Sequence, residues 1–265
     1  MSKPYILLVT GSFARASLYD DLVARVKAHG YDMKALQLPT VGLGPGIGRD
    51  TPPATMYDDA ALIAKEIEAL ADAGREVVLV AHSYGGMPAT ESTKGLSVQE
   101  RQKQGKKGGL VRLAYKTVLL TKPGHSAFEV LPPPAEGEAP SLIPDEKGWL
   151  HMADPERNAA KSFSDLPKED AIYWQSQFSL HSAASFVNPL THAGYKDVPV
   201  SYLLCDEDLV IFPEIQRREI EMVEVETGSK VDVTTVKAGH CPSLSVPEKV
   251  VGWILDVARK SEGLA

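Results

Sequence analysis

Six short runs rich in Val, Ile and Leu punctuate this chain of 265 residues, at 5–9, 32–37, 76–81, 117–121, 200–204 and 231–236. Most are apolar without interruption rather than at every second position, which is how a strand reads when both faces of its sheet are covered. Helical patterns fill the gaps between them. Residues 18–29 close on Gly30, and residues 55–73 carry Met56, Ala60, Ile63, Ile67 and Leu70 at helical spacing before Gly74 ends the run. Ser97 with Glu100, and Ser245 with Glu248 around Pro247, have the spacing of capping boxes. A last helix is expected over 248–259, with Val251, Ile254, Leu255 and Ala258 on one side. Strand and helix in alternation predict an α/β fold, a six-stranded and mostly parallel sheet with helices on both faces.

One connection breaks the rhythm. Residues 122–199, between the fourth run and the fifth, far exceed the ~4–6 residues usual between elements. Pro- and Glu-rich sequence, Leu131-Pro132-Pro133-Pro134-Ala135-Glu136-Gly137-Glu138, comes early in it. Trp149, Trp174 and Phe178 follow, with Ala171, Trp174 and Phe178 at helical spacing. That aromatic content argues against disorder. The expectation is a cap over approximately 123–190, inserted after the fourth strand of a single domain spanning 1–265. Trp149, Trp174 and Phe178 are then candidates to line a substrate pocket.

The net charge of -7 is unsuited to nucleic acid or anionic membranes, which would repel it. The basic cluster Arg101, Lys103, Lys106 and Lys107 reads as a solvated helix end. Two cysteines, Cys205 and Cys241, are too few for a disulfide framework and are expected reduced. No apolar run approaches the ~20 residues of a membrane span, and no leader is visible, so a cytoplasmic protein is expected.

Chemistry concentrates where the third run ends, at Ala81-His82-Ser83-Tyr84-Gly85. A serine on a tight turn from strand to helix has its hydroxyl lifted clear of the sheet, and small flanking residues let the backbone turn that sharply. Serine needs a base to become a nucleophile at neutral pH. His240, in Ala238-Gly239-His240 just past the sixth run, is the candidate, because parallel strands end on one edge. His82 reads as structural, His29 as a helix end, and His125, His151, His181 and His192 as cap residues. The base needs a carboxylate to fix its tautomer. Asp206, Glu207 and Asp208 follow the fifth run, and chemistry alone leaves that choice open. Two backbone N–H donors should face the carbonyl oxygen: that of Tyr84 and that of Ser12, in Thr10-Gly11-Ser12-Phe13 after the first run. Gly11 allows close approach of a ligand, and Phe13 joins it as a candidate contact. The loop Gly42-Leu43-Gly44-Pro45-Gly46-Ile47-Gly48 lacks the glycine pattern and the preceding first strand of a dinucleotide fingerprint, and reads as a flexible rim. Neither a metal nor another cofactor is implied.

These residues carry a resemblance. Leu7-Leu8-Val9-Thr10-Gly11-Ser12, Ala81-His82-Ser83-Tyr84-Gly85-Gly86 and Ala238-Gly239-His240 resemble the α/β-hydrolase family of the AB hydrolase-1 type. The absence of two leading strands, and Leu204-Cys205-Asp206-Glu207-Asp208 followed by Pro213-Glu214-Ile215-Gln216-Arg217, resemble its plant methylesterase and hydroxynitrile lyase branch. The stretches beginning Pro52-Pro53-Ala54-Thr55 and Thr93-Lys94-Gly95-Leu96 are similar to uncharacterised fungal-type members. The resemblance implies Ser83 as nucleophile, His240 as base and Asp208, ahead of Asp206, as acid. It departs at Thr10, where the family carries a histidine. Lyase members have a threonine at the position of Gly11 and a lysine at that of Cys241, so the resemblance implies hydrolysis of a small to medium, largely apolar ester, lactone or thioester. The alternatives are carbon–carbon cleavage, elimination or cyclisation on the same scaffold, or a non-catalytic small-molecule receptor. A homodimer is a family-level expectation.

Overall fold

The computed structural model describes residues 3–131 and 140–263. Its strands are Tyr5–Val9 (β1), Met33–Leu36 (β2), Glu76–Ser83 (β3), Gly109–Val118 (β4), Leu142–Pro144 (β5), Trp149–Met152 (β6), His181–Ser182 (β7), Val200–Cys205 (β8) and Asp232–Val236 (β9). Six of them form one sheet in the order β2-β1-β3-β4-β8-β9, with every pairing parallel. The remaining three make a small antiparallel sheet, β5-β6-β7, between β4 and β8. Strands of two to four residues are too short to show a period in sequence, so the small sheet leaves no apolar pattern.

Neighbouring residues of a strand point to opposite faces, so a sheet covered twice needs both registers apolar. Leu7, Val9, Val77 and Leu79 pack with Ile63 and Ile67 of the helix Met56–Asp72. Ile6, Leu8, Val78 and Val80 pack with Leu22 and Val26 of Asp20–Ala28, and with Val250, Ile254 and Val257 of Pro247–Ser261. Each such side chain, fully removed from water, contributes about 1.5–3 kcal/mol. The helix at 56–72 opens on Thr55, whose side chain and that of Asp58 form a reciprocal capping box.

Three expectations need correction. The fourth strand is Gly109–Val118, earlier than 117–121, because its apolar pattern is broken by Arg112 and Lys116. Both are buried and satisfied sideways: Arg112 Nε and Nη1 donate to Ser261 Oγ (3.0 Å) and Ser201 Oγ (3.2 Å), and Lys116 Nζ donates to Ser243 Oγ. Ser245 and Glu248 form no capping box; the last helix is entered from Val246, with Pro247 in its first turn. Arg101 is only 1% exposed, its guanidinium donating to Asp72 (2.6 Å) and the Gly108 carbonyl (3.2 Å), so this member of the basic cluster is structural.

The Pro- and Glu-rich expectation at 132–138 lies outside the described residues. The segment that follows is fastened to the loop at 40–48. Gly42 and Gly46 N–H donate to the carbonyls of Leu180 (2.9 Å) and Phe178 (2.8 Å), and Leu180 N–H donates to that of Ile47 (3.1 Å). A Cβ at residue 48 would sit 2.6 Å from the Trp149 ring, so this glycine lets β6 close onto the loop. Among the described residues, no helix is long and apolar enough to cross a membrane.

Candidate active site

β3 is buried from Val77 to Ser83 and ends in the turn that begins the helix Gly86–Glu91. Ser83 has φ 54, a left-handed conformation that costs a non-glycine residue about 1–3 kcal/mol. Two glycines make the turn possible. A Cβ at residue 85 would lie 2.6 Å from the Thr10 carbonyl oxygen, and one at residue 86 would lie 2.6 Å from that of Leu119. Ala81 is accommodated within the strand, paired in register with Val9 and Tyr115.

Ser83 Oγ is 3.0 Å from His240 Nε2, and His240 Nδ1 is 2.8 Å from Asp208 Oδ2. Asp208 is 1% exposed. Its Oδ1 accepts the N–H groups of Val210 (2.7 Å) and Ile211 (2.9 Å), and its Oδ2 also accepts the Thr117 hydroxyl. All of these suit a carboxylate, which can only accept. Thr117 reaches it because β4 bulges there, with φ 39 and a register shift opposite His82 and Ser83. The Asp206 side chain is exposed, and Glu207 pairs with Lys237 at 3.4 Å; of the three carboxylates, Asp208 meets His240.

Polar residues behind these groups hold the surrounding loops. His82 Nε2 donates to the His240 carbonyl (2.9 Å), while its Nδ1 accepts the Tyr19 hydroxyl proton (2.7 Å). Tyr19 Oη in turn accepts the Gly11 N–H (3.2 Å). Burial pushes the His82 pKa well below its ordinary value, aided by the nearby Lys116 ammonium, so the ring stays neutral. Gly239 N–H donates to Asp165 Oδ2 (2.7 Å), fixing the approach to His240 from the connection between β4 and β8. Tyr84 turns its side chain away from the opening, and its hydroxyl donates to buried Asp59 (2.9 Å). Burial raises the Asp59 carboxyl to about 7.

A cavity of about 840 Å³ opens over Ser83 and His240. Gly11, Ser12, Phe13, Trp174 and Phe178 line it, together with Met152, Phe163 and Leu244. Trp149 does not. It is 3% exposed, packed against Gly48, and serves the small sheet rather than the cavity wall. Of the remaining histidines, His125, His151 and His192 bond to Glu129, Asp145 and Asp197. Tyr19, Asp59, Thr117, Asp165 and His181 are parts of the site's surroundings that sequence reasoning missed. Each meets a partner far away in the chain: Tyr19 meets His82, Asp59 meets Tyr84, Thr117 meets Asp208, Asp165 meets Gly239 and His181 meets Phe13.

A serine on a strained strand-to-helix turn, bonded to a histidine and through it to an aspartate, all at the ends of strands of one parallel sheet, is the plan of an α/β hydrolase. The chain belongs to the alpha/beta hydrolase family, whose pattern it matches over residues 6–253. It is similar to a probable hydrolase, R7, of the fungus Phoma sp., with 37% identity over 97% of this chain and 99% of the relative. It is also similar to the polyneuridine aldehyde esterase of Rauvolfia serpentina, with 23% identity over 97% of this chain and 96% of that one. Among solved structures, a pyrethroid hydrolase from Sphingobium faniae shares the fold with TM-score 0.73 and 24% identity, covering 97% of this chain and 98% of the other.

Proposed function

We propose that this hydrolase cleaves a small to medium, largely apolar carboxylic ester, lactone or thioester through an acyl-enzyme on Ser83. The observation that carries the reading is the continuous hydrogen-bonded chain from Ser83 through His240 to Asp208, opening on an apolar cavity. Asp208 holds the His240 Nδ1–H tautomer, leaving Nε2 free to take the Ser83 proton as Oγ attacks the carbonyl carbon. Negative charge then develops on the carbonyl oxygen. The backbone N–H groups of Ser12 and Tyr84, which no other described group engages, are the donors proposed for it. The imidazolium of His240 passes its proton to the leaving alkoxide or thiolate. Water, deprotonated by the same nitrogen, releases the acid and restores Ser83.

The connection between β4 and β8 acts as the cap in this reading, supplying Met152, Phe163, Trp174 and Phe178 to the acyl or alcohol side. Relatives named as an esterase and as a pyrethroid hydrolase support ester chemistry. The test is turnover of p-nitrophenyl acyl esters of graded chain length by wild type and Ser83→Ala, with fluorophosphonate labelling of Ser83 alongside. Turnover that survives Ser83→Ala would refute the mechanism. A wild-type chain that neither turns over esters nor takes the label would be a binding protein.

A further inference from the structure

We propose that His181 is a positioning residue for this site, holding the oxyanion loop from the cap side through the backbone of Phe13. The inference rests on the reading of the Ser12 and Tyr84 N–H groups as the oxyanion donors.

Phe13 follows Ser12 directly, and its φ of 62 places it in the left-handed region. A non-glycine residue remains there only where its surroundings over-determine it. Both polar groups of its backbone are held by one short cap segment. Phe13 N–H donates to His181 Nδ1 (3.3 Å), and its carbonyl accepts the Ser179 N–H (2.9 Å). The two rings are also in contact, with centroids 5.4 Å apart.

The contact dictates the tautomer of His181. An N–H aimed at Nδ1 requires that nitrogen to be bare, so the proton sits on Nε2 and is donated to Ser185 Oγ (2.9 Å). The Ser185 hydroxyl in turn donates to the Ser182 carbonyl (2.8 Å). The ring is fully buried, and burial holds its pKa down to about 3. It lies edge-on to the Tyr84 ring, with centroids 4.7 Å apart. His181 therefore touches the neighbour of one proposed donor and the side chain of the other, while standing outside the cavity lining. The circuit closes through Asp59, which accepts Tyr84 O–H (2.9 Å) and Thr40 N–H (3.0 Å), and through the Thr40 carbonyl, which accepts Ser182 N–H (2.9 Å).

His181→Leu and His181→Gln separate positioning from bulk, because both fill the space and only glutamine can accept the Phe13 N–H. Each is assayed on p-nitrophenyl acetate, with kcat counted per Ser83 titrated by fluorophosphonate so that unfolded chains drop out. Misplacing a donor by a fraction of an ångström should lower kcat of His181→Leu about 10–100-fold with little change in KM, and His181→Gln should recover much of it. Equal per-site kcat in wild type and His181→Leu, whatever the melting temperatures, overturns the proposal. So does a glutamine variant no better than the leucine one. Wild type that neither turns over the ester nor takes the label overturns the functional reading itself, and this inference with it.

Discussion

Ser83 and Phe13 both adopt a left-handed backbone beside the same cavity, with φ 54 and 62, yet different parts of the molecule hold them there. Ser83 is fixed by the main sheet. Its strand is hydrogen-bonded on both sides, and Gly85 and Gly86 let the turn close against Thr10 and Leu119. Phe13 leaves the same edge of the sheet at the end of β1, but the groups that grip it come from Ser179 and His181, the latter 168 positions away. Ser83 is thus held by the main sheet, and Phe13 by the connection between β4 and β8. Damage to the turn at Ser83 and damage to that connection should therefore be distinguishable in kinetics.

The largest effect tests the elbow's chemistry with its geometry left intact. Ser83→Ala should reduce per-molecule ester turnover by roughly 10⁴-fold or more, measured against p-nitrophenyl acetate, with an unchanged melting temperature within error. Asp208→Asn removes the acceptor that sets the His240 tautomer and should lower kcat by about 10³–10⁴-fold, whereas Asp206→Asn should leave it near wild type. A reversed order between the two aspartates would break the site as drawn. Gly86→Ala probes the elbow's steric closure. A Cβ there would meet Leu119 O and Val118 Cβ, both at 2.6 Å, and should destabilise the fold by about 1–3 kcal/mol in urea unfolding. The His181 pair applies the corresponding stress to the loop at Phe13 and should alter kcat more than stability.

The smallest expected effect is on pH dependence. Burial lowers the His181 pKa from an ordinary 6.5 to about 3. In the unfolded chain it takes a proton below the ordinary value, and in the fold it does not. Its contribution to stability is therefore complete above about 6.5 and is lost as pH falls toward about 3. His181→Gln has no such proton to take, so its melting temperature should fall less between about pH 6 and pH 4 than that of wild type. His82, shifted in the same direction, leaves part of the slope in place. Identical slopes in a thermal series would contradict the burial argument.

The unequal legibility of the sequence follows from the same contrast. Strands such as 5–9 and 76–81 were readable because covering a sheet on both faces demands unbroken apolar runs. The elbow was readable because its small residues sit beside the serine they serve. β4 is hidden from the pattern because Arg112 and Lys116 are buried through long side chains that reach hydroxyls on other elements, Ser261 and Ser243, and no local pattern records such partners. Trp149, an aromatic residue in the long insertion, reads in sequence like Trp174 and Phe178, yet those two line the cavity and Trp149 does not. Its position depends on Gly48, whose missing side chain makes room for the ring. His181 is one of four histidines in the connection between β4 and β8 that look alike in sequence, and only the fold brings it to Phe13.

His82 has a consequence of a different kind. From one imidazole it reaches the carbonyl of His240 and, through Tyr19, the amide of Gly11. The loop after β1, the end of β3 and the loop after β9 are thereby joined without the side chains of Ser83, His240 or Asp208 taking part. In the language of fluctuation, the three loops do not open independently, because freeing one leaves a buried donor or acceptor of another without its partner. The amide of Gly11, though it belongs to a loop, should exchange with deuterated solvent at the slow pace of the sheet rather than the pace of the surface.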